Sequence, residues 1–195
     1  MAPQDVRPGA SLACATAGAA VLTPGGGRDA GGVKRCFPPV VDAHTRLLIL
    51  GSLPGERSLA QNQYYAHRQN RFWTLLGFAL GADLAALDYA CRLEFLLSRG
   101  VGLWDVVAEA RREGSLDCRI RAASGNELAA FVRSLPELSA IAFNGATAAR
   151  LGMKQLGPLG SAYRIVNLPS SSPAHARPLA EKRVAWDAIA SLLVR

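Results

Sequence analysis

Residues 46–73 read RLLILGSLPGERSLAQNQYYAHRQNRFW. Leu47, Leu48, Ile49 and Leu50 form a short continuous apolar run that stops at Gly51, the pattern of a strand buried on both faces. Gly51, Pro54 and Gly55 then turn the chain sharply out of that strand. The residues beyond include Tyr64, Tyr65, His67, Asn70, Phe72 and Trp73. A polar and aromatic stretch past the carboxyl end of a buried strand is where an open α/β sheet places its ligand.

The same pattern recurs downstream. Leu138 to Phe143 reads as a second strand leaving through Asn144 and Gly145. Tyr163 to Leu168 reads as a third, leaving through Pro169, Ser170, Ser171, Ser172 and Pro173. Helical spacing occupies the intervals. Apolar residues at 72, 75, 76 and 79 predict a helix ended near Gly81, and Leu84, Leu87, Cys91 and Phe95 predict another stopped at Gly100. Ser124 and Glu127 have capping-box spacing for a helix from Gly125 to about Leu135, closed by Pro136. A further helix is expected from Gly145 to about Leu151, and Pro178 is placed to open a last one burying Leu179, Trp186, Ile189 and Leu193. Residues 101–110, VGLWDVVAEA, read as a loop passing into a short helix, with Trp104 in the core. Residues 111–123 carry four arginines without a clear period, which predicts an exposed basic loop facing either a phosphate backbone or solvent.

Alternating strands and helices imply a three-layer α/β/α sandwich around a mostly parallel central sheet. Right-handed crossovers bring all three strand exits to one edge. Residues 51–70, 144–145 and 167–177 are therefore expected to converge, although the first and last lie more than a hundred positions apart.

The rest of the composition frames this core. The 195 residues fit one domain and a tail. Residues 1–35, with glycine clusters and small side chains, cannot bury enough apolar area to offset ordering entropy and are expected to be a flexible tail. Residues 36–195 are then the single domain. Net charge is +7, which suits an anionic partner or simply solubility. No apolar run is long enough for a membrane-spanning helix, and the amino-terminal stretch imitates a signal peptide poorly, so an intracellular chain with no membrane partner is expected. Cys14, Cys36, Cys91 and Cys118 show no CxxC spacing, which argues against a zinc or iron–sulfur site and for reduced thiols.

The converging residues narrow the chemistry. His67 and His175 alone make an incomplete metal site, and of the carboxylates only Glu56 falls near in sequence, so no metal is expected. No GxSxG elbow accompanies the serines. GSLPG is neither of the glycine patterns that hold dinucleotides or nucleoside triphosphates. What remains is an aromatic platform, amide side chains and small donors, the parts needed to hold a planar heterocycle and grip flanking phosphates.

LILGSLPGERSLAQNQYYAHRQNRFW with the distal NLPSSSPAHA resembles the uracil-DNA glycosylase superfamily, and most nearly its hypoxanthine-DNA (deoxyinosine) glycosylase branch. GVGLWDVV at 100–107 and AFNGATAA at 142–149 extend the likeness over about 36–193. The resemblance implies base-binding roles for the loop Gly51, Ser52, Leu53, Pro54 and Gly55, with Tyr65 stacking on a flipped base and His67 nearby. It implies catalysis by the amide of Asn70, with Asn144 as a second amide. Leu168, Pro169, Ser170, Ser171 and Ser172 would meet DNA, the serines at phosphates. Several positions keep another reading. Asn70 can cap the helix beginning at Arg71. Asn144 before glycine can shape a turn. His67 can be structural, and His175 can meet a phosphate or intrude at the lesion.

Two positions depart from other branches. Leu53 stands where many members have Asp or Asn, and Leu168 where others have His or Asn. Neither can activate water or polarise a carbonyl, so uracil excision by those two side chains is excluded, while excision by another arrangement is not. The implied activity is hydrolysis of the N-glycosidic bond of deoxyinosine in double-stranded DNA by a monomer without a cofactor. A mismatch uracil glycosylase, a noncatalytic lesion-binding protein and a hydrolase of free nucleosides remain as alternatives.

Overall fold

The computed structural model describes residues 32–193. In chain order the elements are β1 (Val33–Arg35), β2 (Leu47–Gly51), α1 (Glu56–Gln61), α2 (Phe72–Leu80), α3 (Tyr89–Ser98), β3 (Val101–Asp105), β4 (Val107–Arg111), β5 (Arg121–Gly125), α4 (Leu128–Arg133), β6 (Ala140–Asn144), α5 (Ala146–Leu156), β7 (Arg164–Leu168), α6 (Leu179–Trp186) and α7 (Ala188–Leu193).

Four strands make a fully parallel central sheet in the order β3-β2-β6-β7. Alternation along β2 divides the core between its faces. Leu47 and Ile49 pack with Phe72, Leu75, Leu76, Leu96 and Trp186 under α2, α3 and α6. Leu48 and Leu50 pack with Trp104, Val132, Ile141, Phe143 and Leu156 under α4 and α5. The three-layer α/β/α sandwich expected from the sequence is the observed one.

Three local expectations are corrected. Residues 101–110 are not a loop and helix: β3 is a fourth central strand, buried along its length, and β4 continues into a separate antiparallel sheet ordered β1-β4-β5. Gly102 gave the misleading break. A β-carbon there would lie 2.7 Å from Val41 Cγ1 and 3.0 Å from the Val40 carbonyl, so the glycine marks a close backbone approach beside a Val40–Leu103 bridge. The capping box does not form, because Ser124 belongs to β5 and α4 begins only at Leu128, with no side-chain cap. The expected tail also ends earlier than composition suggests: Val33, Lys34 and Arg35 pair with Arg111, Ala110 and Glu109. Residues 1–31, including Cys14, lie outside the described residues. Cys36, Cys91 and Cys118 are free thiols. Among the described residues no helix is long and apolar enough to cross a membrane.

Candidate active site

The parallel strands finish in register, Gly51 beside Asp105 and Asn144 beside Leu168. A cleft of about 420 Å³ opens over these ends, within the usual range of small-ligand sites. Gly51, Ser52, Leu53, Pro54 and Gly55 line it, as do Tyr65, His67 and Asn70, Asn144, the three serines 170–172 and His175. The predicted convergence is therefore present. Leu168 and Pro169 are the exceptions. Leu168 is buried in the core beneath the loop, and the Pro169 carbonyl accepts from Trp186 Nε1 at 3.0 Å. The Leu168 side chain therefore faces the core and not the cleft.

Tyr65 is held hard. Its ring stacks on Phe72 with centroids 3.6 Å apart and planes 7° apart, and Phe72 meets Trp186 edge-on. One face of Tyr65 is thus taken, leaving only the other for a ligand. Its backbone sits at φ 55°, a left-handed conformation that costs a non-glycine residue on the order of 1 kcal/mol and is commonest where function demands it. Tyr64, its neighbour, is core, with its hydroxyl directed at the Phe37 and Pro38 carbonyls.

Asn70 makes a local bond and also faces the cleft. Its Oδ1 accepts from the Phe72 N–H at 3.0 Å, capping the start of α2, while the residue lines the cleft. With the oxygen so engaged, the side chain has its Nδ2 hydrogens to offer a ligand. Asn144 is more fully committed. Its Nδ2 donates to Ser171 Oγ and its Oδ1 accepts from the Ser171 N–H, both at 2.9 Å. Ser171 is buried, and its carbonyl accepts from the Arg71 N–H at 3.0 Å, so it joins the β6 exit to the start of α2. Lys182, also buried, donates to the Ser172 carbonyl at 3.3 Å and closes this loop from below. His67 is exposed, its Nδ1 accepting from the Gln69 N–H at 3.2 Å. His175 Nδ1 is buried without a partner among the described residues, and desolvation, Lys182 and Arg177 hold its basicity down.

The sequence reading missed the acids. Asp105 and Asp117 both line the cleft. Asp105 is 3% exposed, and burial pushes its carboxyl up to about 7, against the attraction of Arg112 and with help from Asp117. Its Oδ2 and the Tyr65 hydroxyl have no hydrogen-bond partner among the described residues. Burial likewise raises Asp117, which accepts from Ser52 Oγ at 2.7 Å and lies 3.7 Å from Arg112. Gly51 allows this crowding: a β-carbon there would stand 2.5 Å from Asp105 Oδ1 and 3.0 Å from the Tyr65 hydroxyl.

Arg112 is not part of an exposed basic loop. Its guanidinium is fully buried and donates to the carbonyls of Leu53 and Pro54, and to that of Gly114 at 3.2 Å. Lys34, 4% exposed, adds bonds to Glu56 Oε1 at 2.8 Å and to the Gly114 carbonyl at 2.5 Å. The loop following β2 is thus fixed from behind by two cations. The signal for Asp105 was present in WDVV, a polar residue ending an apolar run, and was lost when that run was not read as a strand. Nothing in the spacing of 111–123 distinguishes Arg112 from its exposed neighbours.

Comparison with known proteins agrees with this geometry. Residues 38–190 match the model of the Uracil DNA glycosylase superfamily. A hypoxanthine DNA glycosylase of Methanosarcina barkeri is 39% identical over 155 residues, covering 78% of this chain and 95% of its own. One of Methanosarcina acetivorans is 38% identical over 159 residues, covering 80% and 98%. A solution NMR structure described as a uracil DNA glycosylase from Methanosarcina acetivorans superposes with a TM-score of 0.72 at 38% identity, over 82% of this chain and 98% of the other. The family match and the two sequence relatives each span well over two thirds of the chain, and the chain belongs to the uracil DNA glycosylase superfamily.

Proposed function

We propose that this protein hydrolyses the N-glycosidic bond of a deaminated base extruded from double-stranded DNA, with hypoxanthine of deoxyinosine as the base removed. The reading rests on one observation above all: the Tyr65 ring and the Asn70 amide line one cleft of purine-accommodating size at the sheet's carboxyl edge. The relatives named for hypoxanthine support the choice of base. So do Leu53 and the buried Leu168, which supply no polar group at two positions where other branches have one.

The flipped base stacks on the free face of Tyr65. Extrusion costs a few kcal/mol, less for a mispaired nucleotide, and this contributes selectivity. Asn70 Nδ2 donates to the base, dispersing the negative charge that grows on the leaving purine. Backbone and hydroxyl groups of the 170–172 loop take the flanking phosphates, and exposed Arg57 on the lining, with exposed Arg177 near His175, adds positive field. Leu116, 42% exposed on the cleft lining, is an apolar side chain able to enter the stack vacated by the nucleotide.

Release of free hypoxanthine from an inosine-containing duplex tests the reading. Asn70→Asp keeps the acceptor for the Phe72 N–H and removes the Nδ2 donors. It is expected to retain the fold and lose roughly 10²-fold or more in single-turnover rate. Turnover at the wild-type rate removes Asn70 from the chemistry, and a wild-type enzyme that prefers uracil or xanthine duplexes reassigns the base.

A further inference from the structure

The cleft has reactive groups that the assigned roles leave unused, His175 with its Nδ1 unpartnered among the described residues and, at the strand ends beside Tyr65, a carboxyl. Asn144 is occupied at both ends by Ser171, Asn70 Oδ1 by Phe72, and Asp117 by Ser52 and Arg112. Asp105 is different. It closes β3 on the cleft lining, is 3% exposed, and its Oδ2 has no hydrogen-bond partner among the described residues. The Tyr65 hydroxyl, also without a hydrogen-bond partner among the described residues, and Asp105 Oδ1 both stand where a β-carbon on Gly51 would project. Two residues of one cleft lining that each keep a buried polar atom unpaired among the described residues are what a site looks like when the ligand supplies the missing partners.

We propose that Asp105 is the general acid and base of the excision, with the Tyr65 hydroxyl beside it as a further contact to the same edge of the base. This rests on the glycosylase reading given above. As the bond between the sugar C1′ and the base nitrogen breaks, the bonding electrons pass to the purine, and the Asp105 carboxyl gives its proton to a ring nitrogen of the departing base. Water then forms the new C–O bond at C1′ and returns a proton to the Asp105 carboxylate. The products are neutral free base and an abasic sugar, and the carboxyl is restored.

The surroundings favour a neutral carboxyl in the resting protein. Asp117 from the turn after β4 repels its charge and Arg112 attracts it; Cys36, Tyr64, Tyr65 and Tyr89 also face it, each held in its neutral form by burial. Burial outweighs that attraction, and the carboxyl is left at about 7, where it can both give and recover a proton near neutrality.

The test is single-turnover release of free base by the full chain between pH 5 and 9, from duplexes containing inosine, uracil or xanthine. Wild type is compared with Asp105→Asn, and with Asp105→Ser should the first variant fail to fold. Affinity for the lesion duplex is measured separately. Wild type is expected to lose rate on the alkaline side. Asp105→Asn is expected to fall about 10²-fold with that limb abolished and affinity within a few-fold of wild type. A variant with the wild-type rate and the same alkaline limb overturns the assignment, and so does a loss confined to affinity. Release of uracil or xanthine but not hypoxanthine overturns the choice of substrate alone, and the Asp105 comparison is then decided on the base released. Release of no base from any duplex overturns both.

Discussion

Asn144 and Ser171 exchange two hydrogen bonds across 27 residues of chain, the amide donating to the hydroxyl and accepting from the backbone N–H, each at 2.9 Å. The pair ties the exit of β6 to the loop after β7, and through the Ser171 carbonyl to Arg71, next to Asn70. Asn144→Ala leaves a buried N–H unpaired. It is expected to cost about 1–3 kcal/mol in denaturant unfolding. Base release should fall with it, because the Asn70 segment loses its anchor. Ser171→Ala keeps the N–H bond and should cost less, on the order of 1 kcal/mol.

Arg112 stands behind the loop that follows β2, donating to Leu53 and Pro54 from full burial. Arg112→Met preserves bulk and removes the donors. Unfolding measurements should show a loss on the order of 3 kcal/mol, since two buried carbonyls lose a charged partner. Duplex affinity should change little: this cation points inward and contributes nothing to phosphate attraction, so the dependence of binding on salt should match wild type.

Gly51→Ala tests the crowding at the strand ends. The added methyl would meet Asp105 Oδ1 at 2.5 Å and the Tyr65 hydroxyl at 3.0 Å, so both must move. The expected signature is a rate loss of roughly 10²-fold, as for other small displacements of reacting groups. The accompanying loss of stability should be about 1–3 kcal/mol, typical of overpacking.

Asp105 makes the folded state sensitive to pH. Its carboxyl is raised by burial from 3.8 to about 7, so the folded protein holds a proton that the unfolded chain releases earlier. The resulting stabilisation is complete below about pH 4 and is lost as pH rises through about 7; it amounts to roughly 4 kcal/mol for this one group. Asp117, also raised, works in the same direction. Denaturation of Asp105→Asn should show a flatter pH profile between 4 and 8 and greater stability than wild type at pH 8.

Leu116 is an exposed apolar side chain on the cleft lining. If it fills the gap left by the extruded nucleotide, Leu116→Ala should slow excision from a duplex about tenfold and leave a single-stranded substrate unaffected. The ratio of the two rates is the measurement.

The sheet was legible because its strands are written as short apolar runs ending at glycine, asparagine or proline, and because parallel topology forces their exits together. β3 escaped because Gly102 interrupts its run, although that glycine is there to let Val40 approach. Tyr65 and Asn70 could be found from residue type and position. Asp105 could not once its strand was missed. Arg112 was hidden for a different reason: burial of one arginine among several depends on a tertiary contact with residues nearly sixty positions away, and no local pattern records it. The apparent capping box does not form because Ser124 lies in a strand paired with β4.

The short strand Val33–Arg35 places Lys34 against Glu56 and Gly114, behind the residues that shape the cleft. Cutting the polypeptide at the compositional break before Cys36 would therefore discard a strap of the loop after β2, although Lys34 does not line the cavity itself. What looks like the dispensable edge of the molecule is part of how its interior keeps its shape.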